Sequence, residues 1–300
     1  MIYTVTFNPA VDYVVKTGQL IPGAVNRSSG EQIFFGGKGI NVSIILKELG
    51  IESKALGFVA GFTGQAIEDG IKEQGISSDF VHLKKGYSRI NVKIKSNQET
   101  ELNGQGPEID SEAIEKLFQK LDGLKAEDIL VLAGSIPNTL PYDIYEKILI
   151  RLNGKNIRFV VDATKSLLLN VLKYKPFLIK PNNFELEEIF NVKIEETDDI
   201  IFYARKLREQ GAQNVLVSRA EDGAVLIDAD DNVYVIDAPE GHVLNSVGAG
   251  DSMLAGFIAG FISQKKYEYA LKLGTAAGSA TAFSEGLAEG DMIKEILAKL

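Results

Sequence analysis

The sequence predicts an α/β fold, with a mostly parallel central sheet, helices on both of its faces, and a small β-lid. Three observations predict it. Short β-rich runs alternate with helix-length stretches along most of the chain, the pattern of a parallel sheet joined by crossover helices. Several of the runs, such as "DILVLAG" and "IRFVVDA", are almost wholly apolar, as strands covered on both faces must be. Two stretches, about 10–35 and 87–104, break the rhythm and read as lid strands projecting from a single α/β domain spanning 1–300. At 300 residues the chain can bury a substantial core without staples.

Taken in order, "IYTVTF" is a strand and "INVSIILKELG" a helix closed by Gly50, a common residue just past a helix end. "KALGFVAGF" is a strand, and "TGQAIEDGIKEQG" a helix closed by Gly75. "DILVLAG" is a buried strand, followed by a helix "PYDIYEKILIRLNG" opened by Pro141. "IRFVVDA" and "FLIKPN" are strands, the second stopped by Pro181, and "NNFELEEIF" begins a helix. "TDDIIFYARKLREQG" places acidic residues first and basic residues last, as the helix dipole prefers. "NVLVS" is a strand, and the remainder reads as mostly helical. In the lid, 10–35 lacks a clear helix and "YSRINVKIKSNQETELN" alternates like a hairpin turning near Asn97. A two-stranded piece is marginal alone, so the lid needs further strands or a partner, which points to a homodimer through the lid.

Composition excludes several function classes. The chain has no cysteine, hence no disulfide, thiolate metal site or cysteine nucleophile, and it fits a reducing cytoplasm. The opening "MIYTVTFNPA" carries no signal-peptide pattern, and no run approaches a membrane span. A net charge of -9 disfavours nucleic acid as a partner. The two histidines, His82 and His242, sit in no metal or triad signature.

The motifs that carry chemistry lie where ligands of open α/β sheets bind, beyond the carboxyl ends of the strands. No Walker P-loop is present, and "GFVAGFTG" spaces its glycines wrongly for a dinucleotide fingerprint. "NSVGAGDS" puts Gly248, Ala249 and Gly250 at a helix start, with Asp251 beside them. Free N–H groups and the helix dipole there attract negative charge. A bare phosphate site would not want the carboxylate, whereas phosphoryl transfer would: Asp251 takes a proton from an attacking hydroxyl while the N–H groups hold developing charge. The plain alternative is a turn and a helix cap. "FFGGKGINVSI" repeats the theme, Gly36 and Gly37 exposing backbone ahead of Lys38 and Asn41. Asp12 follows the first strand and could bind hydroxyls. Arg27 and Arg89 fall in the lid, and arginine forks suit phosphate. In "IKPNNFELE", Asn182 and Glu185 share a helix face and could organise Mg²⁺ through water, or form a helix cap, or both.

These motifs in this order resemble the ribokinase-like sugar kinases, specifically the phosphofructokinase B group. The resemblance runs the length of the chain. It implies a ribokinase-like three-layer α/β/α fold that moves the γ-phosphoryl of ATP, with Mg²⁺, onto a sugar hydroxyl. It implies Asp251 as general base, Gly248, Ala249 and Gly250 as anion hole, and Asp12, Gly37 and Asn41 on sugar hydroxyls. Lys180 and Asn182 would meet nucleotide phosphates, Glu185 would organise the metal with Asn182 through water, and "VSRAEDGAVL" would bound the nucleotide with Ser218 and Gly223. The stretches "TFNPAVDY", "RINVKI" and "ETELNGQGP" are similar to members whose substrate is a ketohexose already bearing a phosphate, held by Arg27, Lys38 and Arg89. Two positions depart from the family: Ala220 stands where glycine is usual, and Ser88 where threonine is usual. Within the family the resemblance leaves open a second substrate, tagatose 6-phosphate, whose phosphate is already on C6. A non-catalytic sugar-phosphate sensor is the rival of a different kind, and the intact Asp251 and "NNFE" argue against it.

Overall fold

The computed structural model describes residues 1–300, apart from the side chain of Lys165. The chain opens with β1 (Ile2–Thr6), β2 (Ala10–Lys16), β3 (Gly30–Gly36), α1 (Lys38–Glu48), β4 (Ser53–Ala60) and α2 (Gly61–Glu73). Short strands β5 (Ser77–Ser78) and β6 (Val81–Leu83) precede β7 (Arg89–Lys95), β8 (Thr100–Asn103) and α3 (Ser111–Asp122). Then come β9 (Ile129–Ala133), α4 (Ile144–Arg151), β10 (Arg158–Asp162), α5 (Lys165–Leu172), β11 (Leu178–Ile179), α6 (Asn183–Phe190) and α7 (Thr197–Glu209). The last part holds β12 (Asn214–Ser218), β13 (Ala224–Ile227), β14 (Val233–Ile236), α8 (Ala249–Gln264), α9 (Tyr267–Ala282) and α10 (Gly290–Leu297).

The main sheet runs β14-β13-β12-β11-β10-β9-β1-β4-β5, with β6 also on β4. Its pairs are parallel from β12 to β5, while β13 and β14 add an antiparallel edge. Side-chain alternation splits the core into two layers. Leu130 and Leu132 of β9 face one side with Leu117, Ile148, Leu168 and Leu207 of the helices there. Val131 and Ala133 face the other with Leu46, Leu254, Phe257 and Ala277. Each fully buried Val, Leu, Ile or Phe among them stabilises the fold by about 1.5–3 kcal/mol relative to exposure.

Three expectations are corrected. The chain after β12 is helical through α8, α9 and α10, but two strands not expected from the sequence, β13 and β14, form first. Pro141 does not open its helix: a turn comes first, with Ile144 N donating to Pro141 O at 3.1 Å, and the helix starts at Ile144. Helices α3 and α5 were not foreseen, although Asp110 caps α3 by accepting from Ala113 N at 2.8 Å.

The lid is a separate four-stranded sheet, β3-β2-β7-β8, with β2 and β7 parallel at its centre. The hairpin near Asn97 forms as β7 and β8. The register places Asp12 opposite both Asn91 and Phe34, so Asp12, Arg89, Asn91 and Lys93 share one polar face. The other face carries Tyr13, Ile33, Ile90 and Leu102, of which Ile33 is 57% exposed, Ile90 42% and Leu102 71%.

Candidate active site

A cavity of about 800 Å³ lies between the polar face of the lid and the carboxyl ends of β10, β11 and β12. It is lined by Asp12, Gly37, Lys38, Asn41, Arg89, Lys180, Asn182, Glu185, Ser218, Gly223, Gly248, Ala249, Gly250 and Asp251, all expected site residues. Arg27 is the exception. It sits on the exposed stretch between β2 and β3 and does not line the cavity of the single chain.

Gly248 starts α8 in the left-handed region, φ 83°, which a side chain would oppose. The turn it permits drops Asp251 into the first helical turn, 5% exposed. Asn41 Nδ2 donates to Asp251 Oδ2 at 2.8 Å. Burial, and next the charge of Asp162, push the Asp251 carboxyl up to about 6, against the opposing pull of Lys38, the Asn41 hydrogen bond and Lys180. A carboxylate there is mostly ionised at neutral pH yet basic enough to accept a proton.

Opposite it stands a Lys-Asp-Lys arrangement, with Asp162 and Lys180 buried and Lys38 half-exposed, whose central Asp162 sequence reasoning missed. Asp162 ends β10, its Oδ1 3.4 Å from Lys38 Nζ and its Oδ2 3.5 Å from Lys180 Nζ. Burial disfavours the Asp162 charge, but the two ammonium groups outweigh it and hold the carboxyl below its ordinary range. Burial likewise works against the Lys38 charge, and Asp162, Asp251 and Glu185 more than restore it. A Cβ added to Gly250 would lie 3.2 Å from Lys180 Nζ, so the bare backbone at the start of α8 and this ammonium face one volume. The site therefore gathers helix N–H groups and two cations around one raised carboxylate, an arrangement that can take a hydroxyl proton and hold phosphoryl charge.

Asn182 and Glu185 form the capping box of α6: Asn182 Oδ1 accepts from Glu185 N at 2.7 Å, and Asn182 N donates to Glu185 Oε2 at 2.9 Å. The capping alternative is thus real, and the residues still line the cavity. Among the described residues no cluster of three acidic, His or Cys ligands forms a metal cage. That donor set fits Mg²⁺ held by one carboxylate, water and nucleotide phosphates. Ser218 and Gly223 flank the cavity beside Ala220, whose φ of 50° is left-handed.

On the lid side, Asn91 Nδ2 donates to Asp12 Oδ1 at 2.7 Å and Lys93 Nζ stands 3.7 Å from Asp12 Oδ2. Arg89 Nε donates to Asn8 O at 3.0 Å. A Cβ on Gly36 would sit 3.3 Å from Asn41 Oδ1 and 3.6 Å from Asp12 Oδ2, so Asp12 and Asn41 converge across bare backbone. Asn91 and Lys93 were missed as site residues, although strand alternation from Arg89 in "RINVKI" marks the same face. Among the described residues, the buried side-chain atoms without a hydrogen-bond partner are Asn91 Oδ1, Asp162 Oδ2, Thr275 Oγ1 and Arg208 Nε. The first three belong to residues lining this cavity.

Comparison with known proteins agrees with this geometry. Residues 5–294 match the pfkB family carbohydrate kinases. A 1-phosphofructokinase of Bacillus subtilis is 47% identical over all of this chain and 98% of its own length. A D-tagatose-1-phosphate kinase of Bacillus licheniformis is 39% identical over 98% of this chain and 96% of its own. The crystal structure of Escherichia coli phosphofructokinase-2 in complex with substrates and products superposes with a TM-score of 0.94 at 26% identity, covering 100% of this chain and 99% of the other.

Proposed function

The chain belongs to the pfkB family of carbohydrate kinases, and within it we propose a 1-phosphofructokinase that converts fructose 1-phosphate and ATP to fructose 1,6-bisphosphate and ADP. The observation that carries the reading is Asp251, a buried carboxylate raised to about 6 and held by Asn41 where helix N–H groups and two lysines converge. The full-length likeness to a 1-phosphofructokinase supports the substrate.

In this reading the sugar lies on the polar face of the lid, its hydroxyls on Asp12, Asn41 and the backbone at Gly37. Asp251 takes the proton of the 6-hydroxyl, and that oxygen attacks the γ-phosphorus in line as the bond to the ADP oxygen breaks. The backbone at Gly248, Ala249 and Gly250 holds charge on the transferring group, with Lys180 beside it. Glu185, and Asn182 through water, would hold Mg²⁺, which would supply positive charge against the nucleotide phosphates. Lys180 and Asn182 meet those phosphates, and Ser218 and Gly223 bound the nucleotide.

Arg89 docks the phosphate that the sugar already carries. Lys38 moves from that clamp to the transfer end, because its ammonium is engaged with Asp162 and flanked by Asp251 and Glu185. Arg27 stands outside the cavity of one chain. The apolar outer face of the lid supports a homodimer. Lid and sheet act as one domain, and the cysteine-free composition suits the cytoplasm.

The relative that acts on tagatose 1-phosphate favours one second reading, in which the substrate is the C4 epimer. Coupled ADP release with Mg-ATP, comparing fructose 1-phosphate, tagatose 1-phosphate, tagatose 6-phosphate and fructose 6-phosphate, tests the choice. A large kcat/KM advantage for fructose 1-phosphate is expected. An advantage for either tagatose phosphate would keep the kinase and overturn the substrate.

A further inference from the structure

Asn91 is 6% exposed, lies on the central lid strand β7 and lines the sugar half of the cavity. Its orientation is fixed by chemistry. The Asp12 carboxylate only accepts hydrogen bonds, so the atom 2.7 Å from Asp12 Oδ1 is the donor Nδ2. The amide oxygen must then be the other atom, and that oxygen is buried with no hydrogen-bond partner among the described residues. A buried acceptor left unmade is costly, and native proteins leave few of them. Here it stands beside Asp12, whose Oδ2 lies 3.7 Å from the Lys93 ammonium.

Two neighbouring acceptors reject a phosphate and suit two donors. Cations for a phosphate stand two residues to either side on the same face, at Arg89 and at Lys93, the second already paired with Asp12. The donors a furanose offers side by side are its secondary hydroxyls at C3 and C4. We infer that Asn91 is a substrate-reading residue whose Oδ1 accepts a hydrogen bond from one secondary hydroxyl of the ketose, while Asp12 accepts from its neighbour. The inference rests on the sugar-phosphate kinase reading above. It makes the lid strand a reader of the vicinal diol, the part of the molecule in which fructose and its C4 epimer tagatose differ.

The test measures kcat/KM for wild type and Asn91→Ala with fructose 1-phosphate and with its 3-deoxy and 4-deoxy analogues. In wild type, each deoxy analogue should lose about tenfold to a hundredfold, since each leaves one buried acceptor unmet. Asn91→Ala should lose a similar factor on the parent sugar. On the one analogue lacking the hydroxyl that Asn91 reads, the substitution should cost clearly less than on the parent, leaving only the loss of the Asn91–Asp12 hydrogen bond.

A loss that is equal on the parent and on both analogues would mean that Asn91 only supports Asp12, and would overturn the inference. Should the variant not fold, wild type alone decides: turnover of either deoxy analogue as fast as the parent would remove the two-acceptor arrangement. Failure of wild type to phosphorylate any ketose phosphate would bring down the kinase reading and this inference with it, an outcome distinct from the other two.

Discussion

Asp251 sits between opposing fields. Burial and the Asp162 charge raise its carboxyl to about 6, while Lys38, Asn41 and Lys180 pull it back. The proposed base would work when ionised, so lowering the pH through that value should remove activity and raising it should not. We predict a kcat profile, at saturating Mg-ATP and fructose 1-phosphate, that is level from about pH 7 to 8 and falls toward tenfold per unit below about 6. A kcat that stays level down to pH 5 would contradict the raised carboxyl. Asp251 was legible because its signals are adjacent: two glycines, a carboxylate and an apolar helix within one short stretch. Asp162 was not, since an aspartate ending "FVVDA" looks like any strand end until β11 brings Lys180 and α1 brings Lys38 to its two oxygens.

Elements show the same division. Helices with near-neighbour signals were readable, and α3 should have been, with Asp110 capping an amphipathic run. Strands β13 and β14 were missed because each is only four residues long, too short for a clear alternation, although they follow β12 as consecutive antiparallel hairpins, β13 on β12 and β14 on β13. One element also carries a local conflict. Ala220 opens the short turn after β12 at φ 50°, a conformation that costs a residue with a Cβ about 1–2 kcal/mol. Glycine would relieve that cost and give back part of it as chain entropy, roughly 0.5–1 kcal/mol. Ala220→Gly should therefore raise the unfolding free energy by about 0.5–1 kcal/mol in urea titration. A decrease would show that the alanine methyl contributes packing that outweighs the strain.

At the scale of the whole molecule, the lid is tied to the main body at Glu285. Lys16 Nζ and Gln32 Nε2 each lie 3.3 Å from a Glu285 oxygen on the turn after α9, and the polar face of the lid meets the cavity. The opposite face leaves Ile33, Ile90 and Leu102 exposed, more apolar surface in one place than scattered residues explain. Wild type should sediment as a dimer at micromolar concentration. Ile90→Lys with Leu102→Glu should shift it to monomer without lowering the unfolding midpoint of the main body. A wild type that sediments as a monomer would contradict the lid interface. The composition could suggest a partner for a marginal hairpin, but which face was free depended on the register between β2 and β7, which no spacing in the sequence fixes.

All three scales meet in the proposed proton transfer, so the most direct measurement is the single-turnover rate of Asp251→Asn with Mg-ATP and fructose 1-phosphate. Circular dichroism and nucleotide affinity should be shown unchanged in the same preparation. The account predicts a fall of about 10²–10⁴ in the chemical step with substrate affinities near wild type. A variant that turns over at close to the wild-type rate would contradict the assignment of Asp251 as the base.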